Sequence, residues 1–257
     1  MSEIITSRNN RIIIEASKLK DKKYRDQEGL YCFEGRKLFE EALQSKVSLK
    51  SVFITEKYQN SQKTPLDSIR CPIYTVTNTV YEKLSSDSAP DGIFCIAEKD
   101  KASADTNGTC FILCSVRDPG NLGTCIRSAR AFGIDTLILY DSADEYNQKV
   151  IRASMGAFFR QSIVHTKDIV STISELTSKG YEVLPSALSD NSISLNTVNI
   201  NKKTVFIVGN EGHGVPECVI EACNNRSVLI PMIGDTESLN ASVAASLLMW
   251  EQSKTLQ

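Results

Sequence analysis

From residue 110 onward the chain repeats one pattern: a short run rich in Ile, Val and Leu, a loop, and a stretch with helical spacing. The apolar runs are CFILCSV (110–116), DTLILY (135–140), QSIVHT (161–166), YEVLPSA (181–187), TVFIVG (204–209) and SVLIPM (227–232), and a long helical segment closes the chain over residues 238–254. Continuous apolar strands alternating with helices demand burial on both faces. The pattern therefore predicts an α/β fold with a mostly parallel sheet covered by helices on each side.

Residues 1–100 alternate differently. A helix over 8–20 carries Ile12, Ile13, Ala16 and Leu19 at helical spacing, and YCFEG (31–35) reads as a strand. RKLFEEALQS (36–45) reads as an amphipathic helix, LKSVFIT (49–55) and PIYTV (72–76) as strands, VYEKLSS as a helix and GIFCIAE (92–98) as a strand. That is a second, smaller α/β unit. KDKASADTNGT (99–109) is polar and small, with nothing apolar beyond alanine, and reads as a connection. The expected division is 1–100, a linker at 101–109, and 110–257.

Composition narrows the function. No apolar run approaches the roughly 20 residues of a membrane span, and MSEIITSRNNR lacks the apolar stretch of a secretory signal. The expected compartment is the cytoplasm, with no membrane partner. The eight cysteines form no C-x-x-C pair and several lie in strand-like runs, so they read as buried thiols. With only two histidines, His165 and His213, no metal site is expected. The net charge of −2 hides an asymmetry: residues 8–25 hold seven cationic side chains against two carboxylates, +5, which leaves −7 elsewhere. Such a basic face can be a nucleic-acid footprint. On charge alone a solvated helix surface explains it better.

Three segments depart from ordinary α/β connections. VRDPGNLGTCIRSARAFG (116–133) passes from a strand through a turn into a helix holding Arg127 and Arg130, with Asn121 suited to an N-cap near its start. FIVGNEGHGVPE (206–217) runs from a strand into a loop with Gly209, Gly212 and Gly214. It is not the G-x-G-x-x-G of dinucleotide folds, and Glu211 at its centre disfavours a triphosphate. VLIPMIGDTESLNASVAASLLMWE (228–251) ends a strand and opens a helix at Ser238, Leu239 and Asn240, followed by small residues that permit close backbone approach. All three follow strands, and ligands in open α/β sheets gather beyond the carboxyl ends of strands.

NLGTCIRSARAFG at 121–133, V-G-N-E-G-x-G at 208–214 and I-P-M-x-G-x-x-x-S-L-N at 230–240 resemble motifs 1, 2 and 3 of the SpoU (TrmH-like) family of RNA ribose methyltransferases, within the SPOUT superfamily. EYNQKVIRASMGAFFR (145–160) resembles the family's linking segment. SRNNRI, KKYR, FEG, EEAL and APDGI (89–93) resemble the substrate-binding domain of many members. The resemblance implies a C-terminal domain with a deep trefoil knot, S-adenosyl-L-methionine as methyl donor, a ribose 2′-hydroxyl of RNA as acceptor, and a homodimer formed through the C-terminal domain. Ribosomal RNA is favoured over transfer RNA.

Carried over residue by residue, Gly209, Asn210, Glu211, Gly212, Ile230, Met232, Ser238, Leu239 and Asn240 line the cofactor pocket. Arg127 matches the catalytic arginine, joined by Asn121, Glu211, Ser238 and Asn240. Arginine is always protonated in proteins, so phosphate binding and stabilisation of the developing alkoxide fit Arg127 better than a role as base. The family pattern does not require His213, and His165 reads as a strand or edge residue. Arg8, Asn9, Arg11, Lys22, Lys23 and Arg25 are candidates for RNA backbone contacts. Two rivals are a non-catalytic RNA-binding member of the fold, against which the intact motifs argue, and a nucleotide-dependent oxidoreductase, for which the glycine fingerprint is missing.

Overall fold

The computed structural model describes residues 4–61, 66, 69–99, 108–189, 191–210, 212–234 and 238–256. The chain divides into two compact units: residues 1–101 with 146–159, and residues 102–145 with 160–257. The core of the expected connection, 101–107, lies outside the described residues.

In the first unit the order is α1 (Arg11–Lys18), α2 (Lys22–Glu28), β1 (Leu30–Glu34), α3 (Arg36–Gln44), β2 (Leu49–Thr55), α4 (Glu56–Asn60), β3 (Ile73–Val76), α5 (Asn78–Leu84) and β4 (Ile93–Glu98). The sheet runs β1-β4-β2-β3, antiparallel except for the β2–β3 pair. Ile13, Ala16 and Leu19 of the first helical stretch pack with Phe53, Val80, Leu84 and Phe94, as the helical spacing requires. Helix α2 was not expected. Asp21 starts it by accepting from Lys23 N at 2.9 Å, and Gly29 at φ +65° ends it.

The second unit continues with β5 (Cys110–Cys114), α6 (Pro119–Ala131) and β6 (Thr136–Tyr140). After the short helix α7 (Gln148–Ala153) come β7 (Ser162–His165), α8 (Ile169–Ser178), β8 (Glu182–Pro185), β9 (Ser192–Ser194), β10 (Thr204–Val208), α9 (Glu217–Ala222), β11 (Ser227–Leu229) and α10 (Ala241–Ser253). Its main sheet runs β7-β6-β5-β10-β8 with every pairing parallel. β9 and β11 form a separate parallel pair. Strands β5 and β10 are buried throughout, which is why they carry no polar alternation.

Asn121 does not cap α6. Asp118 does, accepting from Asn121 N at 2.8 Å, with Pro119 in the first turn. Proline has no N–H to lose there, so the helix begins one turn earlier than asparagine spacing implied.

The expected division fails to anticipate one feature: Tyr146–Phe159 packs with the first unit. The Tyr146 and Phe158 rings lie 5.0 and 5.7 Å from Tyr31, and Phe159 lies 5.0 Å from Phe33. Gln148 Nε2 donates to Cys32 Sγ at 3.1 Å. The buried Glu34 carboxylate accepts from Ser85 Oγ at 2.5 Å, Ser86 N at 2.7 Å and Arg152 Nη2 at 3.3 Å. A carboxylate so buried needs its partners. Arg152→Ala is expected to cost about 1–2 kcal/mol of stability, and markedly less in a Glu34→Gln background. Denaturant melts of the four proteins check this; equal costs in both backgrounds remove the ion pair from the account.

Candidate active site

Because all strands of the main sheet are parallel, their carboxyl ends share one edge. There β8 gives way to Ser186 and β10 to Gly209, and β11 of the separate pair, bridged to Ser186 through Val228, ends beside them at Ile230. A cavity of about 260 Å³ opens at these exits, lined by Ser186–Leu188, Val208–Asn210, Gly214, Val228–Ile230, Met232, Ser238, Leu239, Ala241 and Ala244. Six of the expected pocket residues, Gly209, Asn210, Ile230, Met232, Ser238 and Leu239, line it together. Gly212 is exposed and outside the lining. Glu211 lies outside the described residues.

Each loop has a local cause. Asn210 and Gly214 exchange two backbone hydrogen bonds, at 3.0 and 2.8 Å, closing a tight turn that Gly214 allows at φ +65°. Asn210 Oδ1 accepts from Gly212 N at 2.9 Å, and its Nδ2 donates to Ser115 O at 3.2 Å, which fastens the turn to the end of β5. A Cβ placed on Gly209 sits 2.2 Å from Gly214 O and 2.6 Å from Val215 N, so no other residue fits there. The backbone itself forms that part of the cavity wall.

The first motif joins through hydrogen bonds and not through the lining. Asn240 Nδ2 donates to Asn121 Oδ1 at 3.1 Å. Asn240 Oδ1 caps α10, accepting from Ser242 N at 3.0 Å and Ser242 Oγ at 2.7 Å. About two turns further, Ser128 Oγ and Ser246 Oγ lie 2.7 Å apart across α6 and α10. Arg127 stands on the exposed face of α6, outside this lining.

Sequence reasoning missed Ser186, Ala187 and Leu188, which line the cavity after β8. The signal was present: YEVLPSA is a strand whose end falls on the same edge by the same rule. It also passed over Gly214 as a lining residue.

Away from this edge, Arg25 is corrected. It is 3% exposed and its Nη1 donates to Leu19 O and Lys20 O, so it braces the α1–α2 turn and presents nothing to a ligand. Arg8 pairs with Glu82 at 2.7 Å, Arg11 with Glu15 at 2.9 Å and Lys22 with Asp26 at 2.6 Å. Lys22 and the buried-stem Lys99 together hold the Asp26 carboxyl down to about 2. Asn9 is exposed, and Lys23 lies over the Tyr24 ring. His165 ends the edge strand β7, 2.8 Å from Glu145. His213 is exposed on the turn after β10. Among the described residues no helix is long and apolar enough to cross a membrane.

Comparison with known proteins places this geometry. The model of the SpoU rRNA methylase family matches residues 108–250, and that of the MRM3-like substrate-binding domain matches residues 10–95. A 23S rRNA (guanosine(2553)-2′-O)-methyltransferase of Bacillus subtilis (strain 168) is 30% identical, over 96% of this chain and 97% of its own length. The mitochondrial rRNA methyltransferase 3 of Xenopus tropicalis is 28% identical, over 93% of this chain and 73% of its own length. The crystal structure of an AdoMet-bound rRNA methyltransferase from Sinorhizobium meliloti superposes with a TM-score of 0.83 at 28% identity, covering 99% of this chain and 98% of that one.

The two roles of Asn240 are separable. Asn240→Asp keeps the cap acceptor and loses the donor to Asn121, whereas Asn240→Ala loses both. Thermal melting is expected to show Asn240→Ala destabilised by about 1 kcal/mol and Asn240→Asp by clearly less; the reverse order removes the cap from the account.

Proposed function

This chain belongs to the SpoU rRNA methylase family, and from that premise we propose that it is an S-adenosyl-L-methionine-dependent methyltransferase acting on a ribose 2′-hydroxyl of ribosomal RNA. The observation that carries the reading is the meeting of the second and third motif loops in one cavity, with a backbone wall at Gly209 that admits no side chain.

The cavity fits the cofactor. Val208, Val228, Leu229, Ile230 and Leu239 give apolar walls for a flat heterocycle, and Gly209, Ala241 and Ala244 keep the walls thin. When bound, the cofactor supplies an already activated sulfonium methyl, so the protein's work is alignment and charge. Ser238 and Asn240 orient the acceptor hydroxyl. Asn121, fixed by Asn240, helps hold the acceptor phosphate. Arg127 binds that phosphate and stabilises the charge on the ribose oxygen as the hydroxyl proton passes to water and the oxygen takes the methyl group.

The reading extends to assembly. α10 presents Val243, Leu247 and Trp250, each 40–47% exposed, beside Phe132 at the C-terminal end of α6, whose ring lies 5.6 Å from Trp250. A second copy of the chain covers this face, and Arg127, outside the cavity lining of its own chain, serves at a site built by both copies. The knot of the family belongs to the same reading, supported by the return of α10 onto α6 and β10 after the second-motif loop is formed. The unit holding residues 1–100 selects the RNA, with Arg8, Asn9, Arg11, Lys22 and Lys23 as backbone contacts. Eight unbridged thiols agree with a reducing, cytoplasmic setting.

The decisive assay incubates the protein and radiolabelled S-adenosylmethionine with ribosomal and transfer RNA and maps ribose methylation. Arg127→Ala is expected to lower transfer about a hundredfold or more while calorimetry shows S-adenosylhomocysteine bound as in the parent; near-parental activity refutes its role. RNA affinity should also fall steeply with salt, and the Lys22→Ala, Lys23→Ala double variant should reduce the log–log slope by roughly 2. A flat salt response removes the basic cluster from RNA binding.

A further inference from the structure

A second cavity, of about 480 Å³, adjoins the first and is lined by Ser115, Arg117, Asn210, His213, Gly214 and Pro216. Asn210 and Gly214 line both. Their chemistry differs. Both linings mix apolar and polar groups, the Asn210 amide among them, but of the two only the second carries ionisable side chains, Arg117 and His213.

The second cavity is built, not incidental. Ser115 and Asp141 follow the adjacent strands β5 and β6, and both take left-handed backbone, at φ +60° and +46°. That conformation turns the chain sharply at the ends of both strands. Ser115 N donates to Tyr140 O at 2.8 Å, and Ser115 Oγ donates to Asp141 Oδ2 at 3.3 Å. Arg117 Nη2 donates to the same carboxylate oxygen. Asn210 Nδ2 donates to Ser115 O, so the network reaches the turn shared by the two cavities. The guanidinium holds the Asp141 carboxyl below its ordinary range. A guanidinium carries five N–H donors, so the bond to Asp141 fixes Arg117 and leaves donors for an anion.

We propose that this second cavity receives the acceptor nucleotide, with Arg117 binding a phosphate of the RNA strand and Asp141 positioning Arg117. The inference rests on the methyltransferase reading. Methyl transfer needs donor and acceptor side by side, and the fold supplies two adjoining cavities, of which the second carries a guanidinium able to hold a phosphodiester. Arg117 binds one phosphate of the strand, and Arg127 keeps its role at the phosphate beside the reacting oxygen.

The test compares the parent with Arg117→Ala, Arg117→Lys and Asp141→Asn, using a ribosomal RNA transcript that the parent methylates. Arg117→Ala is expected to raise KM for RNA about tenfold, the loss of one charged contact, with a smaller effect on kcat. The log–log salt slope should fall by about one, and S-adenosylhomocysteine affinity by calorimetry should stay at the parental value. Arg117→Lys should recover part of the KM and the salt slope, and Asp141→Asn should raise KM by less than Arg117→Ala. Parental KM and salt slope in Arg117→Ala, or a loss of S-adenosylhomocysteine binding as large as the loss of RNA affinity, overturns the proposal. A parent that methylates no RNA overturns the reading beneath it.

Discussion

Parallel strands cannot be joined by a tight turn, so every strand of the main sheet hands its chain to a crossover at the same edge. Here that rule places Ser115, Asp141, Ser186 and Gly209 directly after β5, β6, β8 and β10. The residues are far apart in sequence and neighbours in space. Both cavities at this edge, and the hydrogen bonds between their loops, follow from it. The separate β9–β11 pair extends the arrangement: Ser186 bridges to Val228, so the β11 exit at Ile230 opens beside the β8 exit.

Within that frame a few backbone positions decide the detail. Gly209 has no room for a Cβ beneath Gly214 O, so the turn after β10 folds back on its own strand. Asn210 then acts at three places, through its backbone to Gly214 and its side chain to Gly212 and Ser115. Asn240 works the same way, since one amide both starts α10 and holds Asn121. These groups are polar and at the protein surface, where water competes for their hydrogen bonds, so each bond orients a loop more than it stabilises the fold. The precision of the edge comes from a small number of side-chain amides and not from the core beneath it.

Much of this was legible in the chain. Unbroken runs such as CFILC and TVFIV announced buried parallel strands, and three loops following strands announced a common edge. What stayed hidden was hidden for physical reasons. Asn121 looked like a helix cap because asparagine caps helices, but Asp118 followed by Pro119 offers the same service a turn earlier. Arg25 looked like a surface charge because a cluster of cations is usually solvated. Its bonds to Leu19 O and Lys20 O come from the geometry of a turn, which charge counting does not contain. The return of Tyr146–Phe159 to the first unit depends on aromatic partners more than a hundred residues away, Tyr31 and Phe33, and no local pattern encodes such a pairing.

On the proposed reading, the placement of cations has a chemical logic. A sulfonium donor leaves as a neutral thioether, so no charge builds on the leaving group and the electrostatic demand falls on the acceptor oxygen. A fixed positive charge meets that demand at any physiological pH, whereas an imidazole meets it only when protonated. The chain sets Arg117 just before α6 and Arg127 within it, with Asn121 between them in sequence and tied to Asn240. A guanidinium and a bridged pair of amides at the start of α6, with a second guanidinium further along the same helix, suit a strand whose phosphates must be held while one hydroxyl is turned toward the donor. His213, on the exposed turn lining the second cavity, is placed to contact that strand.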